Sequence, residues 1–289
     1  MGIDPNSVGA STGPKTRRWD DRDTLLYAIG VGAGRDELAF ITENSHDLPQ
    51  RVLPTFGVIV AIGIAALSKV GDVNWGRLVH GSQSVRLHKP LAAAGELSVT
   101  SEVSDIQDKG EGRNAVVTVT GRGVDPASGD LIVETSAGLV IRGAGGFGGQ
   151  PGESAAKVEY PDREPDLRTA QQVRDDQALI YRLSGDRNPL HSDPWFATEK
   201  AGFPKPILHG LCSYGFAGRA LLHGLCDGDP SRFRSMSSRF SAPVFPGETL
   251  TTSVWRTEDG VAVFRTEAAG PDGADQRVVL DSGVLSYTG

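Results

Sequence analysis

The segments "DTLLYAIGVG" (23–32) and "QALIYRLSGD" (177–186) read as two copies of one pattern, with Leu25 on Leu179 and Tyr27 on Tyr181 at an offset of 154. Self-similarity at a fixed offset marks a duplicated architecture. Further on, "LPTF" (53–56) answers "LHGL" (208–211) at an offset of 155. Each opens an apolar run of helix length, "GVIVAIGIAALSKV" (57–70) and "CSYGFAGRALLHGL" (212–225). Then "KPLAAAGELSV" (89–99) answers "APVFPGETLTT" (242–252) at an offset near 153. Matches at nearly one offset, in one order, describe two repeats.

Each repeat reads as a helical segment with its loop, then a long apolar helix, then strands. The strands are "ELSVTSEVSDI", "NAVVTVTGRGV" and "LIVETSAGLVIRG" in the first repeat. Their counterparts are "TLTTSVWRTE", "VAVFRTEAAG" and "RVVLDSGVLSYTG". Alternation and β-branched residues dominate all six. An all-apolar helix must be covered on most sides, so an antiparallel sheet curled around it is the expected unit. The fold class is therefore α+β, two sheets each wrapped around a long central helix. A Gly- and Pro-rich stretch, 143–165, separates an N-terminal half (1–150) from a C-terminal half (160–289). It holds a formal GxGxxG at Gly143, Gly145 and Gly148. With no helix after it to receive a pyrophosphate, the match is read as a decoy. The turn-rich first 18 residues are expected to form a loose arm.

The net charge of −7 argues against nucleic acid as a partner. The longest apolar run, 57–67, is too short to span a bilayer. No secretory signal pattern opens the chain. The two cysteines, Cys212 and Cys226, fit no zinc spacing and suit a reducing cytoplasm. Cys212 is read as a small buried hydrophobe rather than a nucleophile.

The chemistry concentrates in "YRLSGDRNPLHSDP" (181–194), which packs Asp186, Asn188 and His191 into six positions. Turn residues alone produce such composition. Yet Gly185 supplies unusual backbone angles, Pro189 keeps Asn188 extended, and Ser192 or Asp193 can cap a helix that Gly202 stops. The loop is thus short and stiff, and it brings a carboxylate beside an imidazole, a pair suited to proton transfer. Downstream, "KPILHGLCSYGF" (205–216) places Gly210 near a helix start, where unpaired N–H groups favour negative charge. An acid–base pair plus an oxyanion site fits reactions through an enolate, such as hydration of an α,β-unsaturated thioester. A metal set of Asp186, His191 and His209 is the competing arrangement. At the same offset Asp186 falls on Gly32 and His191 on Glu37, so the N-terminal half lacks the pair. One half is expected to react and the other to help bind.

The run 181–216 closely resembles the signature of the hydratase 2 or MaoC-like dehydratase family. "LLYAIGVGAG", "LPTFGVI", "LVHGSQSVRLHKPL", "DIQDKGEG" and "GGFGG" extend the likeness over nearly the whole chain, to members with two hot-dog folds. The resemblance implies an (R)-specific enoyl-CoA hydratase. Asp186 and His191 would hold one water and deliver OH to C3 and H to C2 on one face. Gly210 N–H would stabilise the thioester oxyanion, and Asn188 would orient the water or the loop. It also implies that His80, Gly81, Lys109 and Phe240 contact the CoA and acyl chain; locally, Lys109 reads as a solvated turn lysine. No cofactor, no metal, no nucleic acid and no membrane are expected; acyl-CoA is the expected partner, and a homodimer is entertained. Two other readings stand beside this one. A dehydratase acting on acyl carrier protein would prefer carrier-bound substrate. A non-catalytic acyl-CoA-binding subunit would need a partner chain.

Overall fold

The computed structural model describes residues 2–153 and 158–289. Ten strands form one antiparallel sheet: β1 (Ser11–Trp19), β2 (Leu78–Leu87), β3 (Gly95–Asp108), β4 (Ala115–Val124), β5 (Leu131–Ile141), β6 (Leu167–Gln172), β7 (Phe233–Phe240), β8 (Thr249–Glu258), β9 (Val261–Ala269) and β10 (Arg277–Tyr287). Their order is β1-β3-β4-β5-β2-β7-β10-β9-β8-β6. The first five strands read inward from one edge match the last five read inward from the other. The duplication legible at an offset of 154 is thus a pseudo-twofold of the whole sheet, and β2 pairs with β7 at its centre.

Helix α1 (Asp21–Gly30) follows β1 and α4 (Gln177–Tyr181) follows β6. They meet across the pseudo-twofold, where Tyr27 and Tyr181, the aligned pair, lie 6.1 Å apart. Gln177 Nε2, fully buried, donates to Ile29 O (3.0 Å) and Gly30 O (2.6 Å). A buried amide bonded this way fixes the register of the two halves. The main hydrophobic cluster accordingly draws on both, from Trp19 to Leu285.

The central helix of the C-terminal half is present as α5 (Gly210–Leu225), buried along nearly its whole length. Its N-terminal counterpart is not one helix. The run 57–70 breaks into a 3₁₀ turn (Pro54–Phe56), the single turn α3 (Gly57–Val60) and a second 3₁₀ segment (Ile64–Lys69); a further single turn, α2 (Leu38–Ile41), precedes it. The sheet comes too close for a helix to continue: a Cβ on Gly121 would lie 1.9 Å from Ala61 O, and one on Gly63 would lie 2.7 Å from the Thr120 carbonyl carbon. Ala61 O instead accepts from Thr135 Oγ1 at 2.5 Å. Glycines and β-branched residues in this run also weaken its helical preference.

The expectation of a loose arm over the first 18 residues is likewise corrected. Ile3 is buried and bridges to Gly71, and β1 pairs with β3 from Ser11 to Trp19. Ladder bonding needs only backbone, and Pro14 is tolerated because β1 is an edge strand. Residues 154–157 of the Gly- and Pro-rich connection lie outside the described residues.

Candidate active site

Gly185 (φ 131°) ends the 3₁₀ turn Arg182–Ser184, a left-handed conformation that favours glycine. Asn188 is extended ahead of Pro189, and its Oδ1 accepts from Leu190 N–H (3.0 Å), capping the 3₁₀ turn Pro189–His191. Asn188 N–H donates to Asp186 Oδ1 at 3.1 Å. Asp193 Oδ1 then accepts from Trp195 N–H (3.0 Å) and opens the π-helical turn Phe196–Lys200, after which Gly202 has φ 73°. Asp186, Asn188 and His191 therefore sit on a loop whose own side chains hold its shape.

His191 is buried, and its Nδ1 lies 2.9 Å from Ile207 O. A carbonyl only accepts, so Nδ1 carries the proton and Nε2 keeps its lone pair. Burial pushes the His191 imidazole below its ordinary value. It is therefore a neutral base near neutral pH. Asp186, His191 and His209 each offer an atom within 4.8 Å of the others. One water accepting or donating two hydrogen bonds of ~2.8 Å at an angle near tetrahedral bridges atoms about 4.6 Å apart.

Gly210 is the first residue of α5, whose start has no side-chain cap. A Cβ at 210 would stand 3.2 Å from the Phe240 ring. Phe240 in turn packs edge-on against His80, ring centroids 4.9 Å apart. His80 Nε2 is buried without a partner among the described residues. Burial pushes its imidazole down to about 4, while the polar groups of Gln83 and Ser82 and, after them, the Asp186 charge act the other way. Gly81 marks a bulge against β5, where a Cβ would meet Val140 at 2.9 Å. The junction of β2 and β7 thus brings His80 and Phe240 together beside Gly210, with His80 within reach of the Asp186 charge. Each half contributes.

Lys109 stands on the β3–β4 turn, where its Nζ donates to Pro151 O (2.6 Å). Beside it, Asp108 accepts N–H bonds from Gly110, Gly146, Gly148 and Gly149, at 2.7 to 3.2 Å. These bonds, Gly146 foremost, hold the Asp108 carboxyl below its ordinary value. The glycines of the formal GxGxxG region therefore cradle the chain's own carboxylate, and among the described residues no helix stands between β5 and β6, in line with the decoy reading. Cys212 is buried, its Sγ donating to Gly30 O (3.3 Å), and burial pushes its thiol well up. That environment suits packing and not nucleophilic attack.

The positions aligned with the pair are put to another use. A Cβ at Gly32 would strike the Phe216 ring at 2.4 Å. Glu37 accepts from Arg219 Nε (3.1 Å) and Nη2 (2.5 Å) and lies 2.7 Å from His223 Nε2. Arg219 Nη1 donates to Val31 O (2.7 Å). Where a second site would stand, an ion pair clamps α5 to the N-terminal half.

The first half, residues 18–143, matches the family model of the MFE-2 hydratase 2 N-terminal domain, and residues 156–275 match that of the MaoC-like domain. The chain is 64% identical over 287 residues to 3-hydroxyacyl-thioester dehydratase Y of Mycobacterium tuberculosis, covering 99% of each. The chain belongs to the MaoC-like dehydratase and hydratase 2 family. It is also 39% identical over 264 residues to the peroxisomal enoyl-CoA hydratase 2 of Arabidopsis thaliana, covering 84% of each. Among solved structures, a MaoC-like dehydratase from Phytophthora capsici superposes with a TM-score of 0.85 at 32% identity, covering 100% of this chain and 98% of that one. A Mycobacterium tuberculosis protein described as having a double hotdog fold superposes at 0.63, and at 18% identity it speaks to the fold alone. The chain is thus a double hot-dog member of the MaoC-like family, and its N-terminal half departs from the long-helix pattern. Among the described residues no helix is long and apolar enough to cross a membrane.

Proposed function

We propose that the protein is an (R)-specific enoyl-CoA hydratase, adding water reversibly to trans-2-enoyl-CoA to give (3R)-3-hydroxyacyl-CoA. The observation that carries this is the clustering of Asp186 and His191, whose polar side-chain atoms lie within 4.8 Å of each other, beside the uncapped start of α5. His191 Nε2 takes a proton from the water while Asp186 accepts its second hydrogen bond. The hydroxide adds to C3, and the pair returns a proton to C2 on the same face. Charge gathers on the thioester oxygen, which Gly210 N–H receives. Asn188 acts through the loop by capping it. His80, Gly81 and Phe240 line the acyl thioester, and Lys109 faces the nucleotide end. The division into halves 1–150 and 160–289, the first binding and the second reacting, follows the same account. A reducing cytoplasm suits the two free thiols. Turnover of free enoyl-CoA against carrier-bound enoyl thioester tests the choice between CoA and carrier protein; preference for the carrier would replace this reading.

Lys109→Glu is expected to raise KM for CoA thioesters several-fold to tens-fold, with kcat little changed. The half-buried cation would give way to an anion facing phosphate. The penalty should shrink in high salt, as screening at a Debye length of about 3 Å in 1 M salt requires. It should vanish on an acyl-pantetheine. An equal penalty on both substrates would return Lys109 to the role of a solvated turn residue.

The same cluster bears on the metal alternative. His191 and His209 stack with centroids 3.7 Å apart and planes 27° from parallel. Their in-plane lone pairs therefore run side by side instead of converging as tetrahedral ligands do. Activity is accordingly expected to survive dialysis against EDTA; a loss that zinc or iron(II) restores would reinstate the metal set.

A further inference from the structure

We propose that His209 is a positioning residue that sets the spacing of the Asp186–His191 pair, an inference that rests on the hydratase reading above. His209 immediately precedes α5 and is buried. Its Nε2 lies 3.1 Å from Asp186 O, so that nitrogen donates and ties the backbone of the catalytic acid. Its ring stacks on His191 at 3.7 Å. Tyr181 backs it, ring centroids 4.9 Å apart. One imidazole thus touches both members of the pair and adjoins Gly210, the residue proposed to receive the oxyanion. His191 is referenced to the same segment through Ile207 O.

The ring is also neutral. Burial, and then the neighbouring His191, push its imidazole down to about 4. A stacked cation would repel the imidazolium that His191 becomes during the reaction; an uncharged ring does not.

Stability does not ask for histidine here. His209 Nδ1 is buried with no partner among the described residues, and an orphaned buried polar atom is a cost to folding. A phenyl ring keeps the stacking face, fills nearly the same volume and removes the orphan. It loses only the bond to Asp186 O. The two roles therefore predict opposite outcomes for one substitution.

The test is His209→Phe and His209→Gln, each alone and in the Asp186→Ala background, assayed with trans-2-enoyl-CoA. His209→Phe should melt no lower than wild type yet lose about 10- to 100-fold in kcat, the scale for misplacing a catalytic group by about 1 Å. Its KM should stay within about threefold, since no ground-state contact is removed. In the Asp186→Ala background the same change should cost less than about twofold, because groups acting as a unit are not additive. His209→Gln keeps a donor but loses the face, so water reaches His191 and its pKa rises; the acid limb of kcat should move to higher pH, and in His209→Phe it should not. Wild-type kcat in His209→Phe overturns the proposal. So does a full loss repeated in the Asp186→Ala background. A wild-type protein with no hydratase activity would overturn the functional reading instead.

Discussion

Asp186→Ala and His191→Ala are each expected to lower kcat by about 10²–10⁴, the range for lost general acid–base catalysis. KM should change less, because neither group is needed to hold the CoA. The pH profile of the wild type supplies an independent check. Burial holds the His191 imidazole below its ordinary value, so the neutral base persists as pH falls and the acid limb of kcat should lie below the usual histidine range. The variants lose the step itself, so substrate protection against unfolding should remain. Turnover near wild type in either variant, with the fold verified by circular dichroism, would remove that residue from the mechanism.

Glu37→Ala is expected to destabilise the protein by about 3 kcal/mol while leaving the loop that carries Asp186 and His191 intact. The Glu37 and Arg219 side chains are only 13% and 9% exposed, and removing one partner of a buried pair strands the other charge, at roughly 3–5 kcal/mol when burial is complete. Burial alone would raise the Glu37 carboxyl, but hydrogen bonds from His223 and Arg219 outweigh it and hold it at about 2. A depressed carboxyl stabilises above its unfolded value and loses that contribution as pH falls. The wild type should therefore lose part of its stability between about pH 4.5 and 2, and Glu37→Ala should lose less there. Urea midpoints at neutral and acid pH measure both effects. A neutral-pH change under about 0.5 kcal/mol would mean the pair is merely a surface contact.

The duplication was legible because strands buried on one face alternate in sequence, and all six strands read that way are β3, β4, β5, β8, β9 and β10. Four others were not. β2 and β7 are rich in Ser and Arg and break the apolar alternation, for they join at the centre of the sheet and carry bulges; β1 and β6 are edge strands whose pairing is backbone work. The broken N-terminal helix was hidden for a related reason. An apolar run of that length reads as a helix, whereas the close approach of β4 at Gly121 and Thr120 is a tertiary fact. In the site, the turn chemistry of Gly185, Asn188 and Pro189 was readable because it is local. The meeting of His80 with Phe240 was reachable only through resemblance, since it spans the two halves. His209 was weighed only as a metal ligand; its stacking on His191 leaves no sequence signal.

The most direct test of the account is the product formed from trans-2-enoyl-CoA by the purified protein, read with 3-hydroxyacyl-CoA dehydrogenases of opposite stereospecificity and, in deuterated water, by the configuration at C2. The proposed mechanism, in which Asp186 and His191 share a single water, predicts (3R)-3-hydroxyacyl-CoA with hydrogen and hydroxyl added to one face. A (3S) product, anti addition, or no hydration by a correctly folded chain would contradict it.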